Sequence, residues 1–315
     1  MSNNHESKKV AIIIPTFNRE KVLCDTVESV LQLNPAPDET WVIDQTSQHE
    51  PSTEAYLQKA WNRGVKVVQL AEPGVCFARN LGAALSNADI LIFIDDDVLI
   101  DTVDFVAAHR KVYANPDIHA VWGQIRGPDQ DTTDKIENPA QIPQNYASIV
   151  EKINYLVSAN HSILRNVMLE TGGYDEGFAG RTYANEDGDF GHRLYYQGYR
   201  IDFEPTASLI HLQAPSGGNR ISGRDSFPEW TRSVTFFQFA LRHYSGFRKI
   251  GGILKVFRTI SLRRENVTNP LYSFFAVFSA IYAFGLALKR HRLGLRSSLF
   301  DPGVEKLRKE YNATD

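Results

Sequence analysis

The sequence predicts an α/β fold: a mostly parallel, Rossmann-like sheet covered by helices. Three observations carry this expectation. Short apolar, β-branched runs alternate with stretches of helical periodicity. The strand runs are nearly continuous in apolar residues, as strands buried on both faces must be. Polar clusters stand where those runs end, and ligands gather at strand carboxyl ends in such sheets.

"KKVAIIIPT" (8–16) is a buried strand that stops at a proline. Residues 20–33 follow with Val22, Leu23, Val27, Val30 and Leu31 at helical spacing. "ETWVIDQTS" is a second strand running into a polar turn, and "VKVVQL" a third. Residues 75–86 form a helix with Gly74 near its start. "ADILIFIDDD" is a fourth strand, "IHAVWGQI" a fifth, and "YRIDFEP" through "SLI" a later one. Pro15-Thr16, Asp44 and Asp95–Asp97 thereby converge on one rim.

At 315 residues, 43% hydrophobic and 23% charged, the chain buries a sizeable core. A net charge of −3 argues against a general nucleic-acid binder. Cys24 and Cys76 show no zinc or redox spacing, which suits reduced thiols in a cytosolic protein. Residues 1–7 are polar, lack the apolar core of a secretion signal and are expected to be disordered.

Asp95, Asp96 and Asp97 are adjacent, and neighbouring carboxylates repel unless a counter-charge, solvent or a shifted pKa relieves them. One reading is a solvated turn with an Asp capping a helix that begins near Thr102. A sharper reading is a site for Mg²⁺ or Mn²⁺, which take hard oxygen ligands. Leu99 and Ile100 stand where an EF-hand needs a ligand and a glycine, so that motif is excluded. Mg²⁺ is typically shared between one or two carboxylates and substrate phosphates, which points to a nucleotide diphosphate.

Four segments together resemble family 2 glycosyltransferases over roughly residues 8–215: "IIIPTFNRE" (12–20), "VIDQTS" (42–47), "GVCFARNLGAALSNADILIFIDDD" (74–97) and "GGYDEGFAGRTYANEDGDFGHRL" (172–194). The resemblance implies the GT-A fold and a catalytic domain over 8–220. It implies inverting, metal-dependent transfer from a nucleotide-sugar donor, with uracil favoured as the base. It places Pro15, Thr16 and Asn18 under the nucleoside, Asp44 on the base, and Arg79 on the base or diphosphate. Asp95 and Asp96 go towards ribose and sugar, and Asp97 to the metal, Mn²⁺ or Mg²⁺. "DQTS" departs from the family's usual second acid and glycine.

Asp187 matches the family's general base, and neighbouring negative charge would raise its pKa. Glu186 and Asp189 are expected in support; a helix start capped by Asn185 is the structural alternative. His211 is a candidate metal ligand, with "SGGNR" and Arg220 after it as a lid over the diphosphate. The segment 122–154 faces the acceptor in this family, making Trp122, Gln124, Asn160 and His161 candidates for sugar contacts. A nucleotidyltransferase would carry a glycine-rich, basic loop after its first strand, and "PTFNRE" has no glycine. A silent glycan-binding module of the same fold is the non-enzyme alternative.

Between Arg242 and Arg296 basic residues dominate, with Glu265 the single acid. "FRKIGGILKVFRTI" is a basic, amphipathic helix, and "PLYSFFAVFSAIYAFGLAL" (270–288) approaches bilayer-spanning length. Its basic flanks give no orientation, and Tyr272, Ser273, Ser279 and Tyr282 dilute it, so an in-plane helix fits as well as a span. Residues 221–296 are therefore expected to associate with a membrane surface, peripherally or as a single pass, on its cytoplasmic face. Residues 297–315 are read as a polar tail. The expected acceptor is a glycan or lipid-linked sugar.

Overall fold

In the computed structural model the described residues are 8–128, 156–178, 185–218, 220–221, 224–225, 229–261 and 270–312. The first half is a run of strand and helix: β1 (Val10–Thr16), α1 (Lys21–Leu31), β2 (Glu39–Asp44), α2 (Pro51–Trp61), β3 (Val65–Gln69), α3 (Val75–Leu85) and β4 (Ile90–Ile94). β1 to β4 pair in parallel in the order β3-β2-β1-β4. β1, β4 and all but the first residue of β2 are buried. One apolar layer packs α1 over Ile12, Ile14 and Ile92; the other packs α3 under Ile13, Ile43 and Phe93. Gly82 of α3 is needed for that approach, since a Cβ there would sit 2.5 Å from Ile13.

Beyond β4 the sheet becomes mixed: β7 (Asn160–Leu164), β6 (Ala120–Arg126), β8 (Ile201–His211) and β5 (Val98–Leu99) complete an eight-stranded order. β7 runs antiparallel to both β4 and β6, β8 is parallel to β6, and β5 is antiparallel to β8. Reversing β7 brings the end of β8, and with it His211, beside the turn that follows β4. A register shift at Gly123/Gln124 lets β8 stay one strand of 11 residues. Gly123 fits because a side chain would meet Ala207 O at 2.1 Å.

The remaining helices are α4 (Phe105–Val112), α5 (Arg165–Glu170), α6 (Glu186–Tyr196), α7 (Glu229–His243), α8 (Gly246–Ser261), α9 (Pro270–Leu293) and α10 (Pro302–Asn312). α4 begins at Phe105 with no side-chain cap, so no aspartate of the triplet caps a helix near Thr102. α7, α8 and α9 share an apolar core that includes Val234, Phe237, Ile260 and the small residues Ala280, Ala283 and Ala287. No helix among the described residues is long and apolar enough to cross a membrane, which corrects the single-pass alternative for 270–288. α10 packs on α3, its Tyr311 ring 5.8 Å edge-on from Trp41 and Arg308 donating to Asn87 at 2.7 Å. Residues 1–7 and most of the expected acceptor segment, 129–154, lie outside the described residues.

Candidate active site

The triple aspartate forms the turn between β4 and β5, and each carboxylate is offset differently. Asp96 accepts from Arg19 Nε at 3.1 Å and from the Phe17 N–H at 3.3 Å. Asp97 accepts from Arg19 Nη2 at 3.0 Å, from the Ala214 N–H at 2.9 Å, and lies 3.1 Å from His211 Nε2. Asp95 is the most open of the three, 3.6 Å from Arg79 Nη2 and 4.0 Å from His211 Nε2. Burial pushes Asp96 up to about 6 against the pull of Arg19. At Asp97 burial also acts upward, but His211, Arg19 and the Ala214 N–H outweigh it and hold the carboxyl below its ordinary value. Arg19 is the main counter-charge, and it also donates to the carbonyls of Ala214 and Ser216. The segment after β8 is thereby laced to the turn after β1, helped by Gly218 N–H to Phe17 O at 2.7 Å.

Asp95, Asp97 and His211 bring ligand atoms within 4.8 Å of one another. Two hard oxygens and one imidazole nitrogen suit a Mn²⁺-type ion, so the residues fit the cation expected from sequence. Asp95, rather than Asp96, is the partner of Asp97 in this group.

The nucleoside candidates line the neighbouring strand ends. Thr16 and Asp44 are register partners at the ends of β1 and β2, next to Pro15. Asp44 is buried; it accepts from the Thr46 N–H at 2.9 Å and lies 3.0 Å from His49 Nε2. Exposed Asn18 has a left-handed backbone (φ 52°), and its N–H donates to Thr46 Oγ1 at 2.9 Å. In "DQTS" Gln45 ties two segments together, donating to Thr16 O at 3.0 Å and accepting from the Gly74 N–H at 2.6 Å.

Arg79 lies in α3, nearly fully buried. Its Nη1 donates to Glu186 at 3.2 Å, Nη2 faces Asp95, and its guanidinium lies 5.0 Å over the Tyr174 ring. The Tyr174 hydroxyl bonds His161 Nε2 at 2.8 Å, while His161 Nδ1 donates to the carbonyls of Val157 and Ser158. Burial holds His161 down to about 3, so it is the neutral tautomer that accepts from Tyr174.

α6 opens with three acids, which the helix N-terminus favours. Asn185 makes no side-chain cap bond and is left-handed (φ 64°), so it enters the helix without capping it. Glu186 turns to Arg79. Asp189 turns the other way, to Arg193 Nε (2.9 Å), Arg242 Nη1 (2.8 Å) and His243 Nε2 (2.8 Å). Asp187 makes no ion pair among the described residues; it accepts a 2.7 Å bond from the Gly188 N–H in its own helix turn and is hydrogen-bonded by the backbone of Ser158. Burial and the adjacent Glu186 push it up to about 7.

The four acceptor candidates Trp122, Gln124, Asn160 and His161 are all buried strand residues of β6 and β7. Asn160 is fully buried, donating to Gln124 O and Ala207 O and facing His109, which leaves no group for a sugar. Trp122 is mostly buried, its ring 4.2 Å from Phe203. The side chain of Arg220 lies outside the described residues. Arg19 and Tyr174 stand within motifs the sequence singles out, whereas His49 and Arg242 carry no local signal.

Residues 11–172, just over half of the chain, match the profile described as Glycosyl transferase family 2. A glucosyl-dolichyl phosphate glucuronosyltransferase of Haloferax volcanii is 27% identical over 184 residues, covering 53% of this chain and 56% of that protein. The O-antigen chain rhamnosyltransferase RfbN of Salmonella typhimurium is 23% identical over 214 residues, 64% of this chain and 66% of that protein. The matches therefore span between half and two thirds of these relatives. Among solved structures, the mannosyltransferase PcManGT of Pyrobaculum calidifontis, in complex with GDP-Man and Mn²⁺, superposes with a TM-score of 0.54 at 15% identity. That match covers 98% of this chain and 86% of that one. This likeness establishes a shared fold.

Proposed function

Because this chain belongs to glycosyl transferase family 2, we propose that it is an inverting glycosyltransferase that moves a sugar from a nucleoside diphosphate, UDP first, to a hydroxyl of a glycan or lipid-linked acceptor. The observation that carries this is the span of Arg79, 3.6 Å from Asp95 and 3.2 Å from Glu186. One guanidinium thus links Asp95, a member of the Asp95–Asp97–His211 group, to Glu186, the residue that precedes Asp187, which supports a single site for donor and base.

Asp187 takes the proton of the acceptor hydroxyl as its oxygen attacks the anomeric carbon. The bond from that carbon to the diphosphate oxygen breaks, and the electron pair leaves with the nucleoside diphosphate. A carboxylate held near neutrality suits this role, because a base works best with a pKa near the operating pH. Asp44 accepts from an N–H of the nucleobase, with Pro15, Thr16 and Asn18 beneath the nucleoside. Asp96, fixed by Arg19, orients the ribose side of the donor. Asp95, Asp97 and His211 would hold Mn²⁺ or Mg²⁺, which neutralises the diphosphate charge when bound. The Haloferax relative is named for glucosyl-dolichyl phosphate and the Salmonella relative for an O-antigen chain, which supports a lipid-linked or polymeric acceptor. We place the enzyme on the cytoplasmic face of a membrane, held by α8 and α9.

A thermal-shift panel of UDP- and GDP-sugars, with Mn²⁺, Mg²⁺ or chelator, tests the donor side, since a ligand that binds only the folded state raises Tm. Stabilisation by a UDP-sugar that depends on metal and is lost in Asp97→Ala is expected. Equal shifts in metal and chelator would reject the metal-dependent donor site.

A further inference from the structure

We infer that Arg242, contributed by the C-terminal helix α7, is a positioning residue for Asp187. This rests on Asp187 being the base proposed above. Arg242 joins two buried carboxylates from different elements: Nη1 lies 2.8 Å from Asp189 on α6, and Nη2 lies 2.6 Å from Asp175 in the turn after α5. Both carboxylates are fully buried, and the guanidinium stacks 5.4 Å over Phe178 of the same turn. Asp175 is fixed in addition by the N–H groups of Gly177 (2.7 Å) and Arg296 (3.2 Å).

The contacts run from Arg242 in two directions and meet around Asp187. One passes through Asp189, two residues along the same helix turn. The other passes through Asp175 to its neighbour Tyr174, whose ring lies under Arg79, and Arg79 holds Glu186. Glu186 and Asp189 are thus pinned from opposite sides, and Asp187 between them has no ion pair of its own among the described residues. Its carboxylate is held by backbone bonds from Gly188 and Ser158, and the position of its helix turn is set by the two pinned neighbours. Buried ion pairs add little net stability, because desolvation offsets most of the attraction, but removing one partner leaves the other carboxylates buried and uncompensated, so they shift from the geometry it fixed. A planar guanidinium can bridge two carboxylates at once, and a lysine ammonium cannot do so with the same fork.

The test compares Arg242→Lys and Arg242→Met with the parent and with Asp187→Asn. Transfer to an acceptor, donor affinity by calorimetry with UDP-sugar and Mn²⁺, and melting temperature are measured. The expected result is kcat reduced at least tenfold in Arg242→Met with donor Kd changed less than threefold, and partial recovery in Arg242→Lys. If Arg242→Met does not fold, Arg242→Lys alone decides: reduced kcat at unchanged Kd supports the inference, and parental kcat overturns it. Loss of donor affinity in parallel with kcat would also overturn it, since that marks general loosening. Asp187→Asn separates the two levels. If it keeps parental turnover, the base assignment fails. If it is inactive while Arg242→Met keeps parental kcat, only the positioning role fails.

Discussion

At the residue scale, the three acids that open α6 show how one local sequence yields three different carboxylates. Glu186 pairs with Arg79 of α3; burial acts upward on Asp189, but His243, Arg193 and Arg242 outweigh it and hold that carboxyl well below the usual carboxylate range. Asp187 lacks such a partner and is pushed up to about 7 by burial and Glu186. This has a kinetic and a thermodynamic consequence. The base works only when ionised, so kcat/KM should rise with pH through an apparent pKa near 7. For stability the sign is opposite. Between the ordinary 3.8 and about 7 the folded protein keeps a proton that the unfolded chain has released, so this group's stabilising contribution is complete below 3.8 and lost as pH rises through 7. Denaturant titrations of the parent and Asp187→Asn across that range should show the difference between them growing with pH. A constant difference would contradict the raised pKa.

At the element scale, the parallel half of the sheet was legible because β1, β2 and β4 are buried on both faces and therefore carry unbroken apolar runs. β5 and β7 were not. β5 is two residues long, and β7, "NHSIL", carries Asn160, His161 and Ser162, whose polar groups are satisfied inside the sheet by partners distant in sequence. That also explains why Asn160 looked like a site residue. The amphipathic reading of α8 does find a counterpart in solvent: Phe247 is 92% exposed, Ile250 56% and Leu254 60%, near Arg248, Lys255 and Arg258. α9 adds exposed Phe274, Phe275 and Phe278. An exposed apolar stripe bordered by basic side chains suits the interface of an anionic bilayer. Phe247→Asp with Ile250→Asp should abolish flotation with phosphatidylserine-containing liposomes while donor binding stays parental. Equal flotation of parent and variant, or none by the parent, would remove the membrane role.

At the scale of the whole molecule, the sequence suggests separable parts, because the donor and base motifs precede Ala214 while the basic and apolar stretches follow it. The contacts are more entangled. Arg290 donates to Gly177 O, Ser298 donates to Glu176, the Arg296 N–H donates to Asp175, and α10 covers α3. Such contacts join residues more than 100 positions apart and follow from no local pattern. Removing residues 262–315 strips these partners from buried groups, and each orphaned buried polar group typically costs about 1–3 kcal/mol. A chain ending at Ser261 should therefore melt well below the full chain and lose turnover; a parental Tm would show that the C-terminal segments are an independent appendage. The strand-end residues of the proposed donor site were legible in their motifs, and Arg19 stands in one of them, whereas the roles of His49 and Arg242 emerged only from the fold. The central claim, that Asp187 is the base beside the Asp95–Asp97–His211 group, is tested most directly by Asp187→Asn, read by single-turnover transfer alongside calorimetric donor binding. The predicted result is donor affinity within threefold of the parent and transfer slowed by about 10²–10⁴-fold. Transfer at the parental rate would contradict it.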